Sequence, residues 1–264
     1  MPLFENVEQF NNVSPALQWA IFIVACLIIV VGVISIFISI WLSLKYMVYN
    51  RRMNSRNISG NVAARTILDN HGLQNIKVSV VGSMLFGNSY SHYFKKVRLR
   101  RLTVKKPSIT SLAMGAEKSA LAILDKEGDK DMRTRVILTP LMILGPFAFI
   151  PVLVIGVAID FLVFSFSGVA TIVAAIIGLA FYVLSFVLSI MTLKTEKKAQ
   201  DRACEILKED GMATEEEIAM MRKLFKLYNI QYINDIILEF LQMLLKVLEI
   251  IAKIQGNSSS RSSD

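Results

Sequence analysis

The chain has 264 residues, 54% of them hydrophobic, with 19% charged and a formal net charge of +8. That much apolar residue, gathered in long runs and giving a mean hydropathy of +0.52, argues against an ordinary soluble domain and for an integral membrane protein. The basic clusters lack the interleaved aromatics and recognisable fold that a nucleic-acid binder would show, so no nucleic-acid partner is expected.

Residues 1–15 carry Glu5 and Glu8 but no Lys or Arg. A secretory signal would open on a basic segment followed by a short apolar core, so this stretch is expected to be a short external tail. Residues 16–48 form the first apolar run, long enough for the roughly 30 Å hydrocarbon core, and are expected to be a retained membrane helix. Arg51, Arg52 and Arg56 follow it directly, which by the positive-inside rule places residues 49–135 in the cytoplasm.

That cytoplasmic segment reads as α+β. NVAARTILDNHGL has helical apolar spacing with Gly72 as its stop. IKVSVV and VRLRRLTV read as the strands of a β-hairpin, the second placing Val97, Leu99 and Leu102 on one face. Pro107-Ser108 opens a helix over 108–127. Residues 136–166 form a second membrane helix, in which Pro140, Pro146 and Pro151 predict a break or bend. Residues 169–193 form the third, after an external turn near 164–168, and 194–228 return to the cytoplasm with Gly211 as a stop and Thr214 as an N-cap.

Residues 229–254 differ from the other apolar runs. Asp235, Glu239, Gln242, Lys246, Glu249 and Lys253 follow a 4-3 spacing, so they share one helical face. This fourth helix is expected to span the membrane or lie on it, with the stripe as an interface. Residues 255–264 are Ser-rich and read as a disordered tail. Cys26 and Cys204 give no disulfide framework. The expected class is therefore mostly α, a polytopic membrane protein with three to four membrane helices and a small α+β cytoplasmic segment. The expected location is a cell membrane, of the prokaryotic plasma-membrane kind, with the large loops inside.

SGNVAARTILDNHGL, SHYFKKVRL and TEKKAQDRACEILKEDGMATEEEIAMMRKLFK, in that order, resemble segments of the membrane zinc metallopeptidase family of the YugP type. The resemblance implies a zinc site made by an HExxH helix and a Glu on a later helix. In HExxH two His one turn apart hold the ion and the Glu activates water. The corresponding helix here, AMGAEKSALAIL, has Glu117 and Leu121 at the His positions and Lys118 at the base position, while Glu196 matches the later Glu. The chain has only His71 and His92, not at metal spacing from each other; His71 reads as a polar cap at a helix end.

The expectation is thus a member without metal, cofactor or catalytic residues, with Glu117, Lys118 and Glu196 forming an ion pair in a vestigial site. His92, Tyr93, Arg98 and Arg100 are candidates for binding a polypeptide by strand addition. Such a protein would be a scaffold, adaptor or substrate-binding partner in the lipid bilayer, joined to another membrane protein or to itself. Two alternatives stay open: an active membrane metallopeptidase with unrecognised ligands, and a small transporter or channel subunit lined by the stripe on the last helix.

Overall fold

A computed structural model of the chain describes residues 13–81, 87–163 and 169–261. The molecule divides into two units, one made of residues up to Ile36, Thr139–Ser189 and Asn234 onward, the other of Phe37–Leu138 and Ile190–Ile233. The four longest helices contribute to both.

Helix α1 (Pro15–Arg51) is a 37-residue apolar rod, and at 1.5 Å per residue it is about 55 Å long. Beyond it the chain forms an isolated antiparallel bridge, Met53 to Ser108. Helix α2 (Gly60–Asn70) begins at Ser59, whose side chain accepts from the Val62 N–H, and ends where Gly72 takes φ +66°. The Leu73 N–H reaches back to the Leu68 carbonyl at 2.8 Å, so the orphan carbonyls of the last turn are satisfied. The ring Nδ1 of His71 lies 2.9 Å from the Ile67 carbonyl, in keeping with a polar role at the helix end.

Three strands follow: β1 (Lys77–Val81), β2 (Ser89–Ser91) and β3 (Lys96–Arg100), in the sheet order β1-β3-β2. β3 is parallel to β1 and antiparallel to β2. Val97 and Leu99 are fully buried as alternation demands, but Leu102 is 65% exposed. By period-two alternation residue 102 already falls off the face that residues 97 and 99 share, and the chain turns helical there at α3 (Arg101–Lys105).

Helix α4 (Ile109–Lys126) is capped by Ser108 and is buried at every residue from Ile109 to Leu124. It is the centre of the second unit's core, with Ile67 and Leu68 of α2 and Leu99 of β3 among the fully buried residues around it. The backbones of α2 and α4 touch: a Cβ on Gly115 would lie 2.5 Å from the Gly60 carbonyl oxygen.

Helices α5 (Lys130–Leu162), α6 (Val169–Glu209) and α7 (Glu215–Arg261) complete the chain. Thr214 and Glu217 form a capping box, the Glu217 N–H donating to the Thr214 hydroxyl at 3.3 Å and the Thr214 N–H to the Glu217 carboxylate at 2.8 Å. Gly211 precedes it at φ +61°.

Several expectations are corrected. The pairing between β1 and β3 is parallel, because the hairpin partner of β3 is the short β2, inside the stretch expected to be a loop. α5 begins earlier than expected and runs unbroken through its three prolines. The expected membrane helix 169–193 and the start of the expected cytoplasmic helical segment form one continuous helix, α6, and α7 continues through 255–261, where a disordered tail was expected. Among the described residues, two helices, α1 and α6, are long and apolar enough to cross a membrane. Of α5, Pro151–Leu162 stands out as a shorter apolar stretch. The external tail up to residue 12, the turn at 164–168 and the last three residues lie outside the described residues.

In the first unit, Asp160 near the end of α5 is 4% exposed. It accepts from the Ala170 and Thr171 amides at 3.1 and 2.6 Å, meeting the free donors of the first turn of α6.

Candidate functional site

The site is built on α4, whose buried run from Ile109 to Leu124 carries two charged residues, Glu117 and Lys118. Both side chains are buried, at 3% and 8% exposure. A lone charge there would be strongly disfavoured, so its partners define the site. Lys118 Nζ lies 3.1 Å from Glu117 Oε2 and 2.8 Å from Glu196 Oε2. Glu196 comes from α6 and also takes Arg135 of α5, with Nη2 to Oε1 at 2.7 Å. On its other oxygen Glu117 accepts from Gln200 Nε2 at 2.9 Å, and the Gln200 oxygen accepts from Asn229 Nδ2 at 2.8 Å. The network therefore joins four helices, α4, α5, α6 and α7.

Its electrostatics follow from burial and charge. Burial alone would raise the Glu196 carboxyl, but the Lys118 ammonium and the Arg135 guanidinium hold it down to about 2. Burial pushes Glu117 up, and Lys118 only partly offsets this. Burial disfavours the Lys118 cation, yet the two carboxylates outweigh it and raise its pKa. The shifts of Lys118 and Glu196 both favour a lysine cation paired with an ionised Glu196.

Beside the network lies a cleft of about 240 Å³, lined by Tyr46, Asn88, Arg100, Tyr228 and Tyr232 together with the site residues. Burial raises the Tyr228 phenol well above the usual range, so it faces the cleft as a neutral hydrogen-bonding group.

Glu117, Lys118 and Glu196 are thus brought together, as the sequence led one to expect. Leu121 is 1% exposed within the apolar core and offers no donor. Arg135, Gln200 and Asn229 were missed. The first two left a signal: Arg135 stands at the entry to an apolar run, and Gln200 follows Glu196 by one helical turn.

The proposed polypeptide-binding residues are placed differently from one another. The Asp125 Oδ2 atom is shared by the Tyr90 hydroxyl at 2.5 Å and His92 Nδ1 at 2.6 Å. Burial and the Asp125 carboxylate raise the Tyr90 phenol. Tyr93 donates to the Val136 carbonyl at 3.0 Å, and the Arg98 guanidinium sits over the Phe94 ring. Arg100 lines the cleft. Strand addition on VRLRRLTV is overturned, because β3 is the central strand and is paired on both sides; the open edges are β1 and β2.

The stripe on α7 is mixed. Glu239 accepts from Ser189 of α6 at 2.9 Å, and Lys246 meets Glu249 at 3.3 Å. Asp235, Gln242 and Lys253 are exposed.

Among the described residues no group of three or more His, Cys, Asp or Glu side chains could hold a metal ion. The chemistry of the central group agrees. Two carboxylates converge on a point already taken by an ammonium, and a cation placed there would be repelled by Lys118 and Arg135. The donor set does not fit zinc.

A family model described as "Putative neutral zinc metallopeptidase" matches residues 23–252. No curated protein and no solved structure matches the chain.

Proposed function

Since the chain belongs to this family of neutral zinc metallopeptidases, we propose that it is a member that keeps the family's frame but binds polypeptide without cleaving it. Membership by itself points towards peptidase activity. The reading departs from it on one observation: Lys118 Nζ lies 3.1 and 2.8 Å from the two carboxylates on which a zinc ion would depend. A hydrolytic zinc site keeps about three protein ligands and one position for water. Here a lysine replaces the general base and a leucine one ligand, so neither the metal nor its water has a place.

What remains is a cleft with hydrogen-bonding side chains next to an open sheet edge. β2 is an edge strand, and Gly87 and Asn88 at its entry line the cleft. An extended polypeptide laid along β2 would use backbone hydrogen bonds for affinity and the cleft for one of its side chains. The two membrane-length helices support a membrane-held scaffold or adaptor. The exposed part of the α7 stripe is the proposed contact for another membrane protein or a second copy.

Elemental analysis of protein purified without chelator tests the reading, paired with a fluorogenic peptide assay. The expected result is far below one zinc per chain and no cleavage. One zinc per chain together with cleavage that chelator abolishes would overturn it.

A further inference from the structure

We propose that the junction of α1 and α3 is a binding surface for anionic phospholipid headgroups. Between Lys45 and Lys106 the sequence has thirteen Lys and Arg and one carboxylate, Asp69. That stretch carries +12, against a whole-chain charge of +8, so the rest of the molecule is net acidic.

The fold concentrates part of this charge. The bridge between Met53 and Ser108 lays the chain after α1 against the chain after α3. The Ile109 N–H donates to the Arg52 carbonyl and the Asn54 N–H to the Pro107 carbonyl, each at 3.0 Å. The segment that holds Lys105 and Lys106 is thereby brought to the end of α1, more than fifty positions away in sequence, with Arg52 opposite Ile109 and Lys106 opposite Ser55 in the antiparallel register. The junction is fixed by buried groups: the Ser108 hydroxyl donates to Asn50 at 2.7 Å, and Ser108 is fully buried. Tyr46 of α1 meets Thr103 of α3 at 3.4 Å.

Among the described residues, no ion pair joins Arg51, Arg52, Lys105 or Lys106 to a carboxylate. Glu217, which reaches the neighbouring segment, is taken up by the Ser55 N–H and hydroxyl at 2.6 and 2.9 Å. Arg51, Arg52 and Lys105 are exposed and Lys106 is half-buried, and they have apolar company: Leu102 is 65% exposed and Met53 56%. Basic side chains around exposed apolar ones suit a headgroup layer, where the cations meet phosphates and the apolar tips enter the acyl boundary.

Position argues for a lipid over a soluble anion. Arg51 closes α1, whose apolar run reaches Val48 one turn earlier, so the cluster lies at the end of a helix long and apolar enough to cross a membrane. Topogenic charges act within about 15–20 residues of a span. Lys105 and Lys106 lie outside that range of α1 and reach its end only through the fold, so orientation alone does not account for them.

Native mass spectrometry of the full chain in detergent, titrated with phosphatidylglycerol and with phosphatidylcholine, tests the proposal. The expected result is a preference of at least about tenfold for the anionic lipid, lost in the variant Lys105→Glu with Lys106→Glu. A control with the same charge change, Lys130→Glu with Lys223→Glu, retains it. No preference, or equal loss in both variants, would overturn the proposal. So would displacement of the lipid by millimolar inorganic phosphate, or tighter binding of a single-stranded RNA oligonucleotide at the same cluster.

Discussion

Lys118 on α4 and Glu196 on α6, 78 positions apart, meet at 2.8 Å in a buried network that also holds Glu117 and Arg135. Each charge there is tolerated because its neighbours are present. Removing one partner leaves the others uncompensated, which is the condition under which a buried pair matters most to stability.

Lys118→Met keeps the apolar stem and removes the ammonium. Glu117 and Glu196 would then face each other with only Arg135 and Gln200 in support. The expected loss is about 3–5 kcal/mol, read as a lower midpoint in denaturant unfolding of the detergent-solubilised protein. Adding Glu196→Gln to Lys118→Met is expected to recover part of that loss. If the single variant is as stable as the parent, the network carries no stability.

The same groups set a pH window. Glu196 has a folded pKa of about 2, below its ordinary 4.5, so its contribution is present above about pH 4.5 and is lost as pH falls towards 2. Lys118 has a folded pKa raised above its ordinary 10.5, so its contribution is full below 10.5 and is lost as pH rises through the folded value. Glu117 is raised and works against the acid limb, gaining as it protonates. A plateau between these limits with an acid fall is expected in thermal melts against pH. Glu196→Gln should flatten the acid fall and lower the plateau; an unchanged acid limb would remove Glu196 from the account.

Much of this was legible in the sequence, for reasons that differ by residue. Val97 and Leu99 alternate, Thr214 and Glu217 have capping-box spacing, and Gly72 and Gly211 stop helices, all of them local signals. The meeting of Glu117, Lys118 and Glu196 came from resemblance, since no local rule joins residues on two helices so far apart. β2 is three residues long and carries no alternating run, so the parallel pairing of β1 with β3 could not be read. The change from strand to helix at Arg101 was hidden because VRLRRLTV suits a strand throughout. Pro140, Pro146 and Pro151 predicted a break or bend, and α5 is one continuous helix without the break.

Gly115 predicts a packing defect. A Cβ there would stand 2.5 Å from the Gly60 carbonyl oxygen, which is backbone and cannot rotate away. Gly115→Ala is expected to push α2 from α4 and to cost about 1–3 kcal/mol, despite alanine's better helix propensity. Gly128→Ala is not an equivalent control, because Gly128 has φ +72° and would be strained. Gly32→Ala is a suitable one, with nothing within 4 Å of its Cβ. Equal stability of the Gly32→Ala and Gly115→Ala variants would refute the close approach.

Orientation is tested by labelling. Arg51 and Arg52 after α1, and Lys194, Lys197 and Lys198 after the apolar part of α6, predict that Asn88 and Asp210 lie on the cytoplasmic side. Asn88→Cys and Asp210→Cys, in a background with Cys26 and Cys204 replaced by Ala, should resist an impermeant thiol reagent in intact cells and react after lysis. Labelling of either one from outside would reject the arrangement.

The last prediction concerns the lost metal site. Combining Glu117→His, Lys118→Glu and Leu121→His restores two imidazoles one helical turn apart with a carboxylate between them, and Glu196 supplies a third ligand from α6. The change also removes the ammonium that now lies 3.1 and 2.8 Å from the two carboxylates. Arg135 stays 2.7 Å from Glu196 and will hold back part of that carboxylate's affinity, so zinc should bind, but more tightly when Arg135→Gln is added. Leu121 is 1% exposed among apolar neighbours, and a histidine there will lower stability unless metal binding compensates for it. Zinc should therefore raise the melting temperature of the triple variant and leave the parent unchanged. Isothermal titration with zinc, with the single variant Glu117→His as control, reads the affinity directly. No zinc-dependent stabilisation in a triple variant that folds would mean that residues 117, 118 and 121 are not where the family's ligands lie.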